Sequence, residues 1–419
     1  MLEPTMLEPT MLEPMSRASK SGHTLIATMV AVVFVALGLE IAFETSARAQ
    51  TPPARPMITQ AIVEANLARL FGNVRPEAVA ANDRGRVPDN FSMEHMLLQL
   101  KRPPAQEQAL SQLIDQLHDP ASPNFHRWLS PNQFGAQFGP AGSDIQQVTG
   151  WLQRHGFTVN LVYPSGMTID FSGNAGQIFA AFHTEIHSLQ ARGATHFANM
   201  SDPQIPPALA SAVAGIVSLN DFMPRPVMRK PKADYTVGGG SYLVTPADLA
   251  TIYNFNQLFN NNISGQNQTI YLIEDTDLYS TNDWTTFRSA FGLSGYTGAS
   301  LSTVHPAPPS GSNNCTAPGV NADDGEAILD AEYASAAAPS AAIVMASCRS
   351  TFSTFGGLIA MQNLINGPTP PAIISLSWRV RGVQRRRQQC RLQRHLSAGR
   401  RRGDLDLRGL GRRRRSRVR

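Results

Sequence analysis

The sequence predicts two consecutive α/β domains: an antiparallel sheet backed by helices, followed by a doubly wound parallel sheet. Residues 92–222 place apolar strands and amphipathic helices in the order β-α-α-β-β-α-β. Residues 241–377 contain three short strands that are apolar on both faces and alternate with helices, which is typical of a parallel sheet covered on both sides. The segment 223–240 between them is rich in Pro and basic residues and ends in glycines, which predicts an exposed linker.

The first domain is predicted to have a ferredoxin-like α+β fold. Its elements are a strand over 93–101, helices over 105–117 and 143–155, strands over 157–163 and 167–171, a helix over 174–182 and a strand over 183–189. If the first two helices form one crossover, this order is that of a split β-α-β unit. Ser143 is a good N-cap for the second helix, which follows a long connection over 119–142. Residues 50–91 are Pro-rich and weakly patterned, which indicates a linker.

The second domain begins with a helix for which Thr245 is the predicted N-cap and Pro246 the first residue. Apolar strands and helices then alternate, with strands over 269–273, 341–346 and 372–376 and helices over 283–291, 324–338 and 355–366. A polar loop over 304–324 precedes the second of these helices. The pattern ends after Ser377.

The N-terminus has the pattern of a secretory signal peptide. Residues 1–15 repeat the motif MLEPT without a foldable pattern, so Met15 is the predicted initiator. Arg17 and Lys20 precede an apolar run over 24–39, and Ala-Arg-Ala at 47–49 supplies a cleavage site. Because a membrane span needs about 20 apolar residues, a cleaved signal is favoured over a single anchor. Residues 1–49 therefore predict export, to the extracellular space or the periplasm, without a stable membrane anchor after cleavage.

The net charge of +5 conceals two opposite parts of the chain. Residues 378–419 contain 17 arginines, no lysine and two aspartates, a formal charge of +15, so the rest of the chain carries −10. An acidic body is not typical of a nucleic-acid-binding protein, and no nucleic-acid partner is expected. The Arg-rich segment has no apolar period and is predicted to be a disordered tail. The minor alternative is that this tail binds a nucleic acid or another anionic surface.

Three cysteines are too few for a disulfide scaffold, and no CxxC pair indicates zinc. If the chain is exported, Cys315 and Cys348 could form one disulfide. The sequence leaves this pairing open because it does not show their geometry.

A series of short motifs in the first domain carries a family resemblance. The motifs are DPASP at 119–123, FHRWL at 125–129, HFAN at 196–199 and DPQIP at 202–206. Together they resemble the pro-kumamolisin activation propeptide of the sedolisin family, the serine-carboxyl peptidases of family S53. The resemblance covers residues 92–377. It implies a ferredoxin-like propeptide over 92–222, followed over 241–377 by the N-terminal part of a subtilisin-like catalytic domain.

The segment DDGEAILD at 323–330 is similar to the family helix that bears a catalytic Glu and Asp. The resemblance implies that Glu326 is the general base, that Asp330 is the carboxylate behind it, and that Glu274 supports both. Positions i and i+4 lie on one helix face, and adjacent carboxylates push their pKa values apart. A Glu base remains usable at acidic pH, where a His base would be protonated. An isolated E-x-x-x-D pair is common on solvated helices, but the Ala and Leu residues around it indicate a buried helix.

The sequence also departs from the family. The nucleophilic Ser of a Gly-Thr-Ser segment and the oxyanion-binding Asp of a Ser-Ala-Gly-Asp segment are absent, as are the family's C-terminal calcium ligands. Asp275 and Asp277 lack a ligand set, so no metal site is assigned. After Ser377 the family continues with Tyr-Gly, whereas this chain continues with Trp378-Arg379, which suggests a frameshift near codon 378.

The expected function is that of a secreted serine-type endopeptidase zymogen acting at acidic pH on protein or peptide substrates. Its own propeptide would be the intramolecular inhibitor. Without a nucleophile and an oxyanion donor, the chain as written is expected to be inactive. The alternative is a propeptide-type inhibitor or binding module without catalysis.

Overall fold

The computed structural model describes residues 54–217, 219–226 and 244–379. The predicted repeat and signal peptide over 1–49, most of the predicted linker over 223–240 and nearly all of the Arg-rich tail lie outside these residues. Within them, no helix combines the length and the apolar run that crossing a bilayer requires.

The first domain, residues 54–226, contains ten strands and five α-helices among its described residues. In chain order these are β1 (Ala68–Arg69), β2 (Asp83–Arg86), β3 (Ser92–Leu100), α1 (Pro104–His118), α2 (Pro131–Phe138), α3 (Gly142–Arg154), β4 (Thr158–Val162), β5 (Thr168–Asn174), α4 (Ala175–Phe182), β6 (Ile186–Ala191), β7 (Ala194–Asn199), β8 (Gln204–Ile205), α5 (Pro207–Ala210), β9 (Val213–Ile216) and β10 (Arg225–Pro226).

The main sheet of the first domain is antiparallel and has the strand order β4-β5-β3-β9. This is the order of a ferredoxin-like sheet, but the predicted closing strand over 183–189 was wrong. The segment Ile186–Ala191 instead forms β6 of a separate three-stranded sheet with β2 and β7. Arg192 and Gly193 both have positive φ, 55° and 80°, and this tight turn pairs β6 with β7 as a hairpin. The main sheet is closed by β9.

The predicted linker over 50–91 is also wrong for its described part. Ile58, Leu70 and Val87 are buried in the main core of the first domain. The fully buried carboxylate of Asp144 accepts hydrogen bonds from the backbone N–H groups of Met57 (2.8 Å) and Ile58 (3.0 Å). The segment was missed because its strands, β1 and β2, are only two and four residues long and show no alternation.

Two helix starts differ from the prediction. The connection over 119–142 contains α2, which begins with a capping box between Ser130 and Gln133 and has Pro131 at its first position. The next helix, α3, begins at Gly142 without a side-chain cap, so Ser143 is not its N-cap.

The second domain, residues 244–379, is built around a parallel sheet. Its elements are α6 (Pro246–Ile252), α7 (Asn256–Asn260), β11 (Thr269–Glu274), α8 (Thr281–Ala290), β12 (Ser300–Val304), α9 (Asp324–Ala337), β13 (Ala342–Ser347), α10 (Gly356–Ile365), β14 (Ile373–Ser375) and β15 (Trp378–Arg379). The strand order is β12-β13-β11-β14, all parallel. Strand β12 was missed because it is rich in Ser and Thr and forms an edge of the sheet.

Helices cover both faces of this sheet. Leu272 of β11 packs with Ala327 and Ala331 of α9 on one face. The next residue, Ile273, packs with Met361 of α10 on the other face. Because successive side chains of a strand point to opposite faces, this arrangement is the doubly wound sheet that the apolar strands predict.

Candidate functional site

The candidate site lies at the carboxyl edge of the parallel sheet. Glu274 is the last residue of β11, and Glu326 lies in the first turn of α9, which follows the loop after β12. The carbonyl of Asp323 accepts the backbone N–H groups of Glu326 (2.9 Å) and Ala327 (3.2 Å), which starts the helix at this edge. A helix N-terminus stabilises acidic side chains, and ligands of open α/β sheets bind at the carboxyl ends of strands.

Three carboxyl groups are brought together here. Glu274 is 0% exposed, Glu326 is 3% exposed and Asp330 is half-buried. Glu326 and Asp330 both interact electrostatically with Glu274, so the i, i+4 pair faces the end of β11 rather than solvent. The structure therefore brings together the three acidic residues that the sequence singled out.

Burial dominates the electrostatics of this cluster. It raises the pKa of Glu274 to about 9, and the negative charges of Asp330, Asp275 and Glu326 add to the shift while Trp378 opposes it. Burial also raises the pKa of Asp330, against the influence of neighbouring Ser377 and Glu274. Glu274 is consequently protonated and neutral at acidic pH.

Both oxygens of Glu274 and Oδ2 of Asp330 are buried and make no hydrogen bond of ordinary length and angle within the described residues. Hydrogen bonding at looser geometry, from Trp378 to Glu274 and from Ser377 and Glu274 to Asp330, still lowers the pKa values of the two groups. Buried polar atoms without partners are rare and expensive, and they cluster at functional sites. The weakly bonded oxygens therefore mark this cluster as the candidate functional site.

Trp378 is a site residue that the sequence reasoning missed. Its indole N–H donates to the backbone carbonyl of Ile273 (3.0 Å), and its ring contacts Phe355 at a centroid distance of 4.8 Å. Only 9% of Trp378 is exposed, and it covers the end of β11 beside Glu274. The tail was predicted to begin at residue 378, which is wrong for Trp378 because it packs into the second domain. Strand β15 pairs antiparallel with β10, which lies at the start of the predicted linker over 223–240.

A second polar cluster lies at the same edge. Asp277 Oδ1 accepts the hydroxyl of Ser347 (2.7 Å) and lies 2.8 Å from Nε2 of His305. Burial would raise the pKa of Asp277, but the hydrogen bonds with His305 and Ser347 outweigh it and lower the pKa. Asp277 stands between Ser347 and His305, which is not the order of a Ser-His-Asp triad.

Asp275, one of the two aspartates that the sequence analysis considered as metal ligands, lies close to another acidic side chain. Burial raises the pKa of Asp275 to about 6, and the negative charge of Asp323 adds to the shift. In the described ranges, no group of three His, Cys, Asp or Glu side chains could hold a metal ion. The calcium that the family resemblance implies has no ligand set in this part of the chain.

Cys315 and Cys348 form a disulfide with a Cα–Cα distance of 5.0 Å. Cys348 directly follows β13, and Cys315 lies in the loop that leads to α9. The bond therefore fastens the loop over 305–323 to the sheet beside the carboxyl cluster.

The sequence is similar to one protein family model and to several curated proteins. Residues 80–222 match the family model described as "Pro-kumamolisin, activation domain". The chain is 25% identical over 320 residues to kumamolisin of Bacillus sp. (strain MN-32), an alignment that covers 74% of this chain and 54% of the relative. It is 29% identical over 163 residues to sedolisin of Pseudomonas sp. (strain 101), covering 38% of this chain and 27% of the relative.

Xanthomonalisin of Xanthomonas sp. (strain T-22) is 29% identical over 180 residues, covering 41% of this chain and 21% of the relative. The alignments thus span about half or less of the length of these curated relatives. The matched propeptide region starts at residue 80 and so includes β2, in agreement with the fold.

Proposed function

Because this chain is a sedolisin-like precursor of peptidase family S53, we propose that it is the zymogen of a serine-carboxyl endopeptidase that acts on proteins or peptides at acidic pH. The first domain is the inhibitory propeptide, and the second domain is part of the catalytic domain. The observation that carries the proposal is the buried cluster of Glu274, Glu326 and Asp330 at the carboxyl edge of the sheet.

The proposed chemistry assigns one role to each carboxyl group. Glu326 accepts the proton of a serine hydroxyl. Asp330 lies one helical turn further on the same helix face, where it orients the side chain of Glu326 and influences its protonation. Glu274 remains protonated well above acidic pH, which limits the negative charge that the cluster accumulates. A carboxylate base of this kind works in acid, where imidazole would be protonated.

The printed sequence contains neither a Gly-Thr-Ser nor a Ser-Ala-Gly-Asp segment. We therefore propose that this polypeptide does not turn over peptides by itself. The hypothesis of a frameshift near codon 378 predicts that another reading frame encodes both segments downstream.

The test is to read the gene in the other two frames and to express the restored chain. The restored chain should cleave a denatured protein substrate at acidic pH, and Glu326→Gln should lower kcat by about 100-fold or more. Glu332→Gln is the matched control, because Glu332 lies on the same helix but interacts with Asp283 rather than with the cluster. Restored activity that survives Glu326→Gln, or the lack of both segments in every frame, would refute the proposal.

Export is part of the proposal. A disulfide between Cys315 and Cys348 persists in oxidising compartments, which agrees with the predicted signal peptide. Secretion would leave the chain in the extracellular space or the periplasm. The molecular mass of the chain recovered outside the cytoplasm would show whether residues 1–49 are removed.

A second candidate function is inhibition in trans by the propeptide. Its support is that the first domain has its own core and forms hydrogen bonds to the second domain. The chain, in excess, should then slow an active family peptidase at acidic pH.

A further inference from the structure

The two domains meet over a surface that contains a buried hydrogen-bond network. Asp170 of β5 is 1% exposed. Its Oδ1 accepts Nδ2 of Asn160 (2.8 Å) from within the first domain, and its Oδ2 accepts Nδ2 of Asn314 (3.1 Å) from the second domain. A carboxylate of the propeptide is thus completed by an amide of the catalytic domain.

The network continues within the second domain and then returns to the first. Asn363 of α10 donates to Oδ1 of Asn314 (2.7 Å), and the hydroxyl of Tyr163 donates to Oδ1 of Asn363 (3.1 Å). Asn314, Asn363 and Tyr163 are all buried, so neither domain satisfies these groups alone. Burial and the charge of Asp170 raise the pKa of Tyr163, which keeps its hydroxyl available as a donor.

A β-bulge in β3 supplies the second part of this surface. The register of β3 shifts between Met93 and Met96, and His95 adopts a left-handed conformation with φ 54°. The carbonyl of His95 accepts the hydroxyl of Thr354 (2.7 Å), and that of Glu94 accepts the hydroxyl of Ser353 (3.3 Å). Nδ1 of the same His95 lies 2.9 Å from Asp170. The strained bulge therefore directs backbone acceptors at the second domain.

Apolar contacts surround the polar network. Leu97, Leu161 and Tyr163 pack against Leu358, and Phe352 contacts Phe91 with ring centroids 4.7 Å apart. Such contacts accept many apolar partners, whereas a buried carboxylate that loses its donor is strongly destabilised.

We propose that the Asp170 network is the selectivity determinant of propeptide docking. It fits a catalytic domain that presents the amide pair of Asn314 and Asn363, and it rejects one that presents an acidic or apolar side chain at position 314. This inference rests on the proposed function in that it takes the first domain to be a propeptide, but its test does not measure proteolysis.

The test uses amide hydrogen exchange of the full chain, followed over peptides from α10 and from the loop over 305–323. Asn314→Asp places a second carboxylate against Asp170, and exchange in both regions should become about ten-fold faster or more. The double variant Asp170→Asn with Asn314→Asp exchanges donor and acceptor across the interface and should recover most of the protection.

Asp144→Asn is the matched control. Asp144 is a fully buried propeptide carboxylate with two backbone donors, and both of them, Met57 and Ile58, belong to the first domain. This variant should loosen the N-terminal arm without changing exchange in α10. Wild-type exchange in Asn314→Asp, or no recovery in the double variant, would overturn the proposal.

Discussion

Glu274 at the end of β11 and Asp330 on α9 place two carboxyl groups in the interior, where the charge of Asp330 helps to raise the pKa of Glu274 to about 9. The two residues are 56 positions apart in the sequence, and the parallel sheet brings them together. This relationship makes the stability of the chain depend on pH.

We expect stability to fall as the pH rises. An unfolded Glu has a pKa near 4.3, so between about pH 4.5 and 9 the folded chain holds a proton that the unfolded chain releases. The stabilisation is complete below this window and is lost as pH approaches 9. Glu332, with a pKa of about 7, acts in the same direction over a narrower range.

Glu274→Gln should therefore flatten the decline in stability between pH 7 and 9, most clearly above about pH 8, where Glu332 is almost fully ionised in the folded chain as well. Urea unfolding at pH 5, 7 and 9 measures this, with Glu332→Gln as the comparison. An unchanged slope between pH 7 and 9 in Glu274→Gln would show that Glu274 titrates normally.

Trp378→Phe should lower the free energy of unfolding by about 1 kcal/mol, because the hydrogen bond to the Ile273 carbonyl is lost. Trp284→Phe is a matched control, since Trp284 is also 9% exposed but its indole N–H has no hydrogen-bond partner within the described residues. Urea unfolding of both variants is the measurement. Equal losses would mean that ring packing, not the hydrogen bond, is what matters at Trp378.

Removal of the disulfide by Cys315→Ala with Cys348→Ala should cost about 4 kcal/mol, the chain-entropy value for a separation of 33 residues. Cys390 is the third cysteine of the sequence, and Cys390→Ala leaves the Cys315–Cys348 bond intact, so it should not change the free energy of unfolding. Unfolding under non-reducing conditions compares the three proteins. A loss in Cys390→Ala as large as in the double variant would indicate a different pairing.

Asp144→Ala should release the N-terminal arm, because the N–H groups of Met57 and Ile58 lose their acceptor. We expect a loss of about 1–3 kcal/mol and faster proteolysis within residues 54–62. Asp89→Ala removes only an exposed ion pair with Arg86 and should change stability by less than about 1 kcal/mol. Limited proteolysis followed by mass spectrometry distinguishes the two.

Much of the fold could be predicted because long elements carry a periodic signal. Strands β3, β5, β11 and β13 follow directly from apolar runs, and helix α9 follows from a run of strong helix formers such as Ala, Glu and Leu. The errors concern short or polar elements: β1, β2 and β12 show no such period, and α2 depends on a local capping box. The assignment of β6 to a second sheet depends on pairing between distant strands, which local pattern does not encode.

The acidic site residues could be named in advance because the segment DDGEAILD resembles the catalytic helix of the sedolisin family, whereas i, i+4 spacing by itself is common on solvated helices. Trp378 could not, since its role arises from contact with Ile273, 105 residues earlier. The sequence by itself predicted an antiparallel sheet followed by a parallel one, and it determined the carboxylates on one helix face and the basic composition of residues 379–419. Only the tertiary structure decided that Glu274 is desolvated and that Asp170 meets Asn314, because burial and hydrogen bonding depend on which distant segments exclude water from a group.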